Sequence, residues 1–167
     1  ILTVPTGVTT FTVTYATLTD AVADNGETTA VTVGGVAATG TINDPAAPTV
    51  NSVTNATATE GTNLVHTVTL SGATTSATTY AFTLADGTAA APGDYTNAPT
   101  FNNGVTLNAG ILTVPTGVTT FTVTYATLAD AVADNGETTA VTVGGVGATG
   151  TINDPAAPTV NSVTNAT

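Results

Sequence analysis

The sequence predicts an all-β fold of tandem seven-stranded antiparallel β-sandwich repeats, and three observations carry that prediction. Thr and Val alternate with apolar residues through much of the chain, the period-2 signature of half-buried strands. Turn pairs such as Asn103-Gly104 and Gly144-Gly145 punctuate these runs. Residues 1–57 return as residues 111–167, a period of 110. That period suits one small domain and is too long for a solenoid coil. Charged residues are only 7% and aromatics 5%, but the wealth of β-branched residues separates the chain from a disordered one. No segment has helical periodicity.

Only two of the 57 repeated positions differ: Thr19 against Ala129, and Ala37 against Gly147. Residues 46–155 read as one complete sandwich repeat. Residues 1–45 read as the C-terminal part of a preceding repeat, and residues 156–167 as the start of the next. The chain edges cut through a repeat, so a longer parent protein is expected. Copies this alike suit a spacer array better than an enzyme, whose active site needs no copying. The boundary Asn43-Asp44-Pro45-Ala46-Ala47-Pro48 recurs as Asn153-Asp154-Pro155-Ala156-Ala157-Pro158. Its prolines fix φ and favour a stiff, extended link.

Within the complete repeat the first strand is expected over Val50–Ala58, followed by a turn at Glu60-Gly61-Thr62-Asn63. The second runs Leu64–Leu70, with Leu64, His66, Val68 and Leu70 inward. Small residues turn the chain over 71–77. The third strand, Thr78–Leu84, points Tyr80, Phe82 and Leu84 inward, and a long loop runs from Asp86 to Tyr95. Residues 98–110 read as an extra hairpin or irregular excursion, turned at Asn102-Asn103-Gly104. The fourth strand is Ile111–Val114, closed by Pro115-Thr116-Gly117. The fifth, Thr119–Thr127, points Phe121, Val123 and Tyr125 inward. After the Asp130–Glu137 loop come Thr138–Val143, the Gly144-Gly145 turn and Ala148–Ile152.

The chain has 11 acids, no Lys, no Arg, one His and no Cys, a net charge of −11. Nothing can neutralise phosphates, which excludes nucleic acid as a partner. Attraction to anionic lipid is excluded likewise, and no apolar run reaches the ~20 residues of a membrane-spanning helix. Disulfides, thiol nucleophiles and thiolate or multi-histidine metal sites are excluded too. The seven acids of the complete repeat are Glu60, Asp86, Asp94, Asp130, Asp134, Glu137 and Asp154. All fall in expected loops or at a strand end. Counting strands up and down, those loops share one pole; the opposite pole, with turns at 71–77, 115–118 and 144–147, has no acid.

Carboxylates ~8 Å apart at an effective dielectric of ~20 repel by about 2 kcal/mol per pair. Hard oxygen donors without His or Cys select calcium over zinc or copper, and Asn135, Asn153 and backbone carbonyls can complete such a shell. The plainer reading is a solvated acidic rim that keeps the protein soluble. Asp130 to Glu137 lacks the D-x-D-x-D-G spacing of an EF-hand, so it would contribute to a multi-loop site.

Other residues point away from catalysis. His66 is mid-strand and inward, a packing position. Ser52, Ser71 and Ser76 lie outside any G-x-S-x-G context. A carboxylate-pair glycosidase would want an aromatic-lined cleft, and the chain has no Trp. The Thr rows, as in 120–124, suit an uncharged strand exterior, with ice or glycan templating as the alternative. Asn55-Ala56-Thr57 matches a glycosylation sequon.

The series Ala58-Thr59-Glu60-Gly61, Val68-Thr69-Leu70-Ser71, Asp86-Gly87-Thr88-Ala89, Gly93-Asp94-Tyr95, Asp130…Asp134…Glu137 and Thr151-Ile152-Asn153-Asp154 resembles a known pattern. It is similar to Calx-beta and related immunoglobulin-like, calcium-dependent extender repeats of giant RTX-type bacterial surface adhesins. The resemblance spans the whole repeat. It implies a calcium-stiffened sandwich with ions at the acidic pole, near the next module. Glu60, Asp86, Asp94, Asp130, Asp134, Glu137 and Asp154 are then the ligand candidates. Their counterparts in the partial first copy are Asp20, Asp24, Glu27 and Asp44. Departures from the pattern are Ala131 where paired acids are usual, His66 at an apolar position, and the long 98–110 excursion.

The expected function is a structural, non-enzymatic spacer in an adhesin of the extracellular face or bacterial cell surface. Its partners would be neighbouring repeats of the same chain. The absence of Lys and Arg, which removes trypsin sites, suits an exposed molecule. One rival is a self-assembling filament or sheath of identical chains with strand exchange between repeats. Another is a glycan- or ice-binding module.

Overall fold

The computed structural model describes residues 1–18 and 24–163, and all its regular structure is β. Its contacts divide the chain into two units, Ile1–Pro45 and Ala46–Thr167. The first unit is a hairpin of β1 (Glu27–Val33) and β2 (Val36–Ile42), with residues 1–18 outside any strand.

The second unit is a two-sheet sandwich. Its strands are β3 (Val50–Val53), β4 (Ala56–Thr59), β5 (Asn63–Leu70), β6 (Thr78–Asp86), β7 (Thr100–Phe101), β8 (Thr106–Asn108), β9 (Ile111–Val114), β10 (Thr120–Ala126), β11 (Glu137–Val143) and β12 (Val146–Asn153). One sheet has the order β3-β5-β10-β7, the other β4-β12-β11-β6-β9-β8. Pairing is antiparallel except for β4 with β12, which run parallel.

The core forms where the alternation points. Leu64, His66, Val68 and Leu70 on β5 are buried, as are Phe121, Val123 and Tyr125 on β10 and Tyr80 and Phe82 on β6. Leu84 is only partly buried, at the core's edge. Leu112, Val114, Val141, Val143 and Ile152 complete the facing layer. The Gly144-Gly145 turn joins Val143 to its partner Val146, with both glycines at positive φ (56° and 85°). A two-residue hairpin turn of this kind requires that conformation at both positions, which glycine adopts without strain.

One expectation is corrected and one is narrowed. The single first strand is two strands in different sheets. Thr54 is tied to β5: its hydroxyl accepts the Thr67 N–H at 2.8 Å and its carbonyl contacts His66 Nδ1 at 2.7 Å. Asn55 is tied to the other sheet, its Oδ1 accepting the Thr149 N–H at 2.9 Å. The chain changes sheet between these neighbours. Of the two readings of residues 98–110, the irregular excursion turned at Asn102–Gly104 holds and the hairpin does not. β7 adds to β10 in one sheet and β8 to β9 in the other. The Asn102–Gly104 corner is held by Asn102 Oδ1 accepting the Thr122 N–H and Asn103 Nδ2 donating to the Thr120 carbonyl, both at 2.7 Å. Phe101 packs edge-on against Phe82, ring centres 5.4 Å apart.

Strand directions define two poles of this unit. The chain comes in beside the Ser71 turn, where Ser71 N–H donates to the Thr49 carbonyl and the Tyr80 hydroxyl to the Pro48 carbonyl. It leaves at the other pole, where Glu60 N–H donates to the Asn153 carbonyl. Glu60, the end of β6, the end of β10 and the start of β11 all lie at this exit pole.

Candidate metal-binding site

Glu60 sits in a tight turn between β4 and β5. Thr62 N–H and its hydroxyl both reach the Thr59 carbonyl, at 3.1 and 2.6 Å. Gly61 takes φ 73° there. Thr127, at the end of β10 and 3% exposed, clamps the turn: its N–H and hydroxyl donate to the Thr62 carbonyl at 2.8 and 2.7 Å. The next residue, Leu128, donates its N–H to the Asp94 carbonyl at 2.8 Å. One short stretch of chain thus fixes the Glu60 turn, the Asp94 loop and the start of the 128–136 loop together. Thr127 carried no charge or motif to mark it in the sequence.

Glu60, Asp130 and Asp134 each offer a carboxylate oxygen, and these oxygens lie within 4.8 Å of one another. Asp130 N–H points at Glu60 Oε2 at 3.5 Å, while Asp130 Oδ1 accepts the Val132 N–H at 2.6 Å. Burial pushes the Glu60 carboxyl above its ordinary range; Asp130 N–H opposes this and the charges of Asp130, Asp154 and Asp134 add to it. Asp134 is pushed up by burial and then by Asp130, Asp154 and Asp94. Glu137, the first residue of β11, is pushed up by burial and then by Asp94, Asp134, Asp130 and Glu60. Six acids therefore act on one another, three with their oxygens closely converged.

The remaining candidates sit differently. Asp86, at the end of β6, turns Oδ1 to the Tyr95 hydroxyl at 2.7 Å and the Ala91 N–H at 3.0 Å. Those hydrogen bonds hold its carboxyl below the usual carboxylate range. Asp94 Oδ2 accepts the Ala90 N–H at 2.7 Å, bracing the same loop. Asn135 Oδ1 accepts the Asp154 N–H at 2.8 Å, so this amide positions Asp154. In the first unit Asp44 N–H donates in the same way to Asn25 Oδ1, at 2.7 Å, and Asp24 N–H donates to Asp44 Oδ2. Glu27 begins β1. Asp20 lies outside the described residues.

The donor set is all-oxygen and anionic, and the chain has no Lys or Arg to neutralise it. That chemistry fits a hard divalent cation. Glu60, Asp130 and Asp134 would hold it, with Asp154 near. The depression above them is walled by Asp154 and the chain from Pro155 to Pro158. His66 takes no part. It is fully buried, with Nδ1 on the Thr54 carbonyl and Nε2 on the Tyr125 hydroxyl at 3.0 Å.

No protein family matches the chain, and no curated protein does. Among solved structures it is similar to the crystal structure of CBD12 from CALX1.2, at 22% identity and a TM-score of 0.45. That match covers 60% of this chain and 42% of the other. It is also similar to an Ig-like domain from human Obscurin-like protein 1, at 11% identity and a TM-score of 0.35, covering 68% of this chain and 93% of that one. Both are distant structural matches.

Proposed function

We propose that the chain belongs to a tandem extender in a secreted or cell-surface adhesin, and that calcium stiffens each repeat where it joins the next. The observation that carries this reading is the convergence of Glu60, Asp130 and Asp134 oxygens within 4.8 Å, beside the segment by which the chain leaves the sandwich. A cation there offsets the mutual repulsion of the exit-pole carboxylates. It also ties Glu60 to the loop beyond the Thr127–Leu128 anchor, where Asp130 N–H reaches Glu60 by one long hydrogen bond. The chain comes in at one pole of the sandwich and goes out at the other. The prolines at 155 and 158 keep the link extended.

The test is thermal melting of the chain in calcium, in magnesium and in chelator. An ion that binds only the folded state stabilises it by about 2.7 kcal/mol at a hundred times its dissociation constant. Calcium is expected to raise the melting temperature, with Asp134→Ala or Glu60→Gln removing most of the rise. Equal melting in calcium and chelator would defeat the reading, and an equal rise with magnesium would defeat its choice of ion.

A further inference from the structure

One motif of the sequence has no part in the acidic pole. Asn55-Ala56-Thr57 is an Asn-x-Thr triplet, and among the asparagines only Asn55 and its copy Asn165 stand two residues before a Ser or Thr. Asn165 lies outside the described residues. Asn55 sits where the chain crosses from β3 to β4. It is exposed and so is Thr57, while Ala56 between them is half-buried. Alternate residues of an extended chain share a face, so the Asn55 amide and the Thr57 hydroxyl open to solvent together. The amide is also oriented. Its Oδ1 accepts the Thr149 N–H of β12 at 2.9 Å, which turns Nδ2 away from the sheet. Asn55 Nδ2 makes no hydrogen bond among the described residues, whereas Asn103 Nδ2 is committed to the Thr120 carbonyl.

We propose that Asn55 is a glycan acceptor. In the step, Nδ2 forms a bond to C1 of a sugar carried on a diphosphate. The bond from C1 to the diphosphate oxygen breaks, its electron pair leaves on that oxygen, and Nδ2 gives up one proton to the transferring enzyme. The product is a secondary amide whose Oδ1 keeps the Thr149 N–H, so the sandwich loses no hydrogen bond. The position gives the sugar a task. β3 and β4 are terminal strands of their two sheets, and the short step between them sets both open edges on one side of the sandwich. They are the longer pair of edges, with 4 residues each, against 2 in β7 and 3 in β8. Edge strands invite pairing with another chain and are commonly guarded by charge, above all Lys, or by Pro. Residues 50–59 hold neither a charge nor a Pro, and the chain has no Lys. A bulky, hydrophilic sugar on the seam between the two edges supplies that guard. The inference needs no metal.

The test offers the folded full chain UDP-glucose with a soluble glycosyltransferase specific for Asn-x-Ser/Thr. A second arm offers a lipid-diphosphate-linked oligosaccharide with a membrane oligosaccharyltransferase of the same specificity. Peptide mass mapping is expected to place a glycan on Asn55, and the arm that reacts identifies the carrier. A peptide of residues 50–60 serves as the unconstrained acceptor, and the folded chain is expected to react as it does. Thr57→Ala should abolish the modification without shifting the melting of the second unit. The modified chain should melt as the unmodified one does and scatter less light on slow heating. Reaction in neither arm, reaction of the peptide alone, modification that survives Thr57→Ala, or a lower melting temperature after modification would each overturn the inference. Equal scattering by the two forms would overturn the edge-guarding role. All arms run in chelator, so failure of the calcium reading leaves these outcomes untouched.

Discussion

Residues 1–45 and 111–155 carry one sequence in two surroundings, and they differ in what they become. The hairpin is the same in both, down to its register and its Gly-Gly turn. The stretch before it is not: residues 120–126 form β10, while residues 10–16 form no strand. A two-residue turn specifies its hairpin locally. An unpaired run of alternating Thr and Val acquires strand geometry only when neighbours take up its backbone groups. The pair separates what this sequence encodes by itself from what it encodes through a partner.

The same substitution in both copies sharpens that separation. Phe121→Ala should cost about 3–5 kcal/mol, because its ring is 1% exposed in the core. Phe11→Ala should leave urea unfolding of the second unit unchanged. Equal effects would break the comparison. Gly150→Ala should cost about 1–3 kcal/mol by overpacking, since the new methyl would lie 2.6 Å from the buried Tyr125 hydroxyl and 3.0 Å from Leu64. At the matching Gly40 the new methyl would meet the hydroxyls of the exposed Tyr15 at 2.6 Å and of the half-buried Thr29 at 2.9 Å, side-chain ends that can move aside, so Gly40→Ala should be milder.

A smaller effect concerns pH. Burial lowers the pKa of His66 below 6.5, so the unfolded chain takes up its proton first. Its contribution is present above pH 6.5 and is lost as pH falls toward the lowered folded value. Glu60, Asp134 and Glu137 have the opposite sign: their raised folded values mean that the chain gains stability as they protonate and loses it as pH rises through those values. Without calcium, His66→Gln should remove the first trend and leave the second, as read by melting temperature from pH 7 to 4. Loss of both in His66→Gln would contradict the separation.

Much of the fold was legible because alternation reports burial directly: Leu64 to Leu70 and Phe121 to Tyr125 face inward as their phase requires. The sheet change at Thr54-Asn55 was missed because neither residue is a Gly or Pro. Its signal was a phase slip, with Val53 and Ala58 both buried although they differ in parity. The turn at Asn102–Gly104 was legible, but hairpin and irregular excursion could not be told apart there, because Asn102 and Asn103 make the corner by bonding backbone groups of β10, which spacing alone does not reveal. At the acidic pole, charge alone marked every carboxylate. It could not distinguish Asp86, held by Tyr95, from the three whose oxygens converge.

The parallel pairing of β4 with β12 has a mechanical consequence. Tension applied at the two ends of this sandwich draws β4 and β12 in opposite senses along their common axis. The hydrogen bonds from Gly150–Ala56 to Asn153–Thr59 are then loaded together, in shear, where a hairpin end would unzip one bond at a time. A sandwich strung this way resists stretching best along the line of pull that a tethered strand of such units would feel.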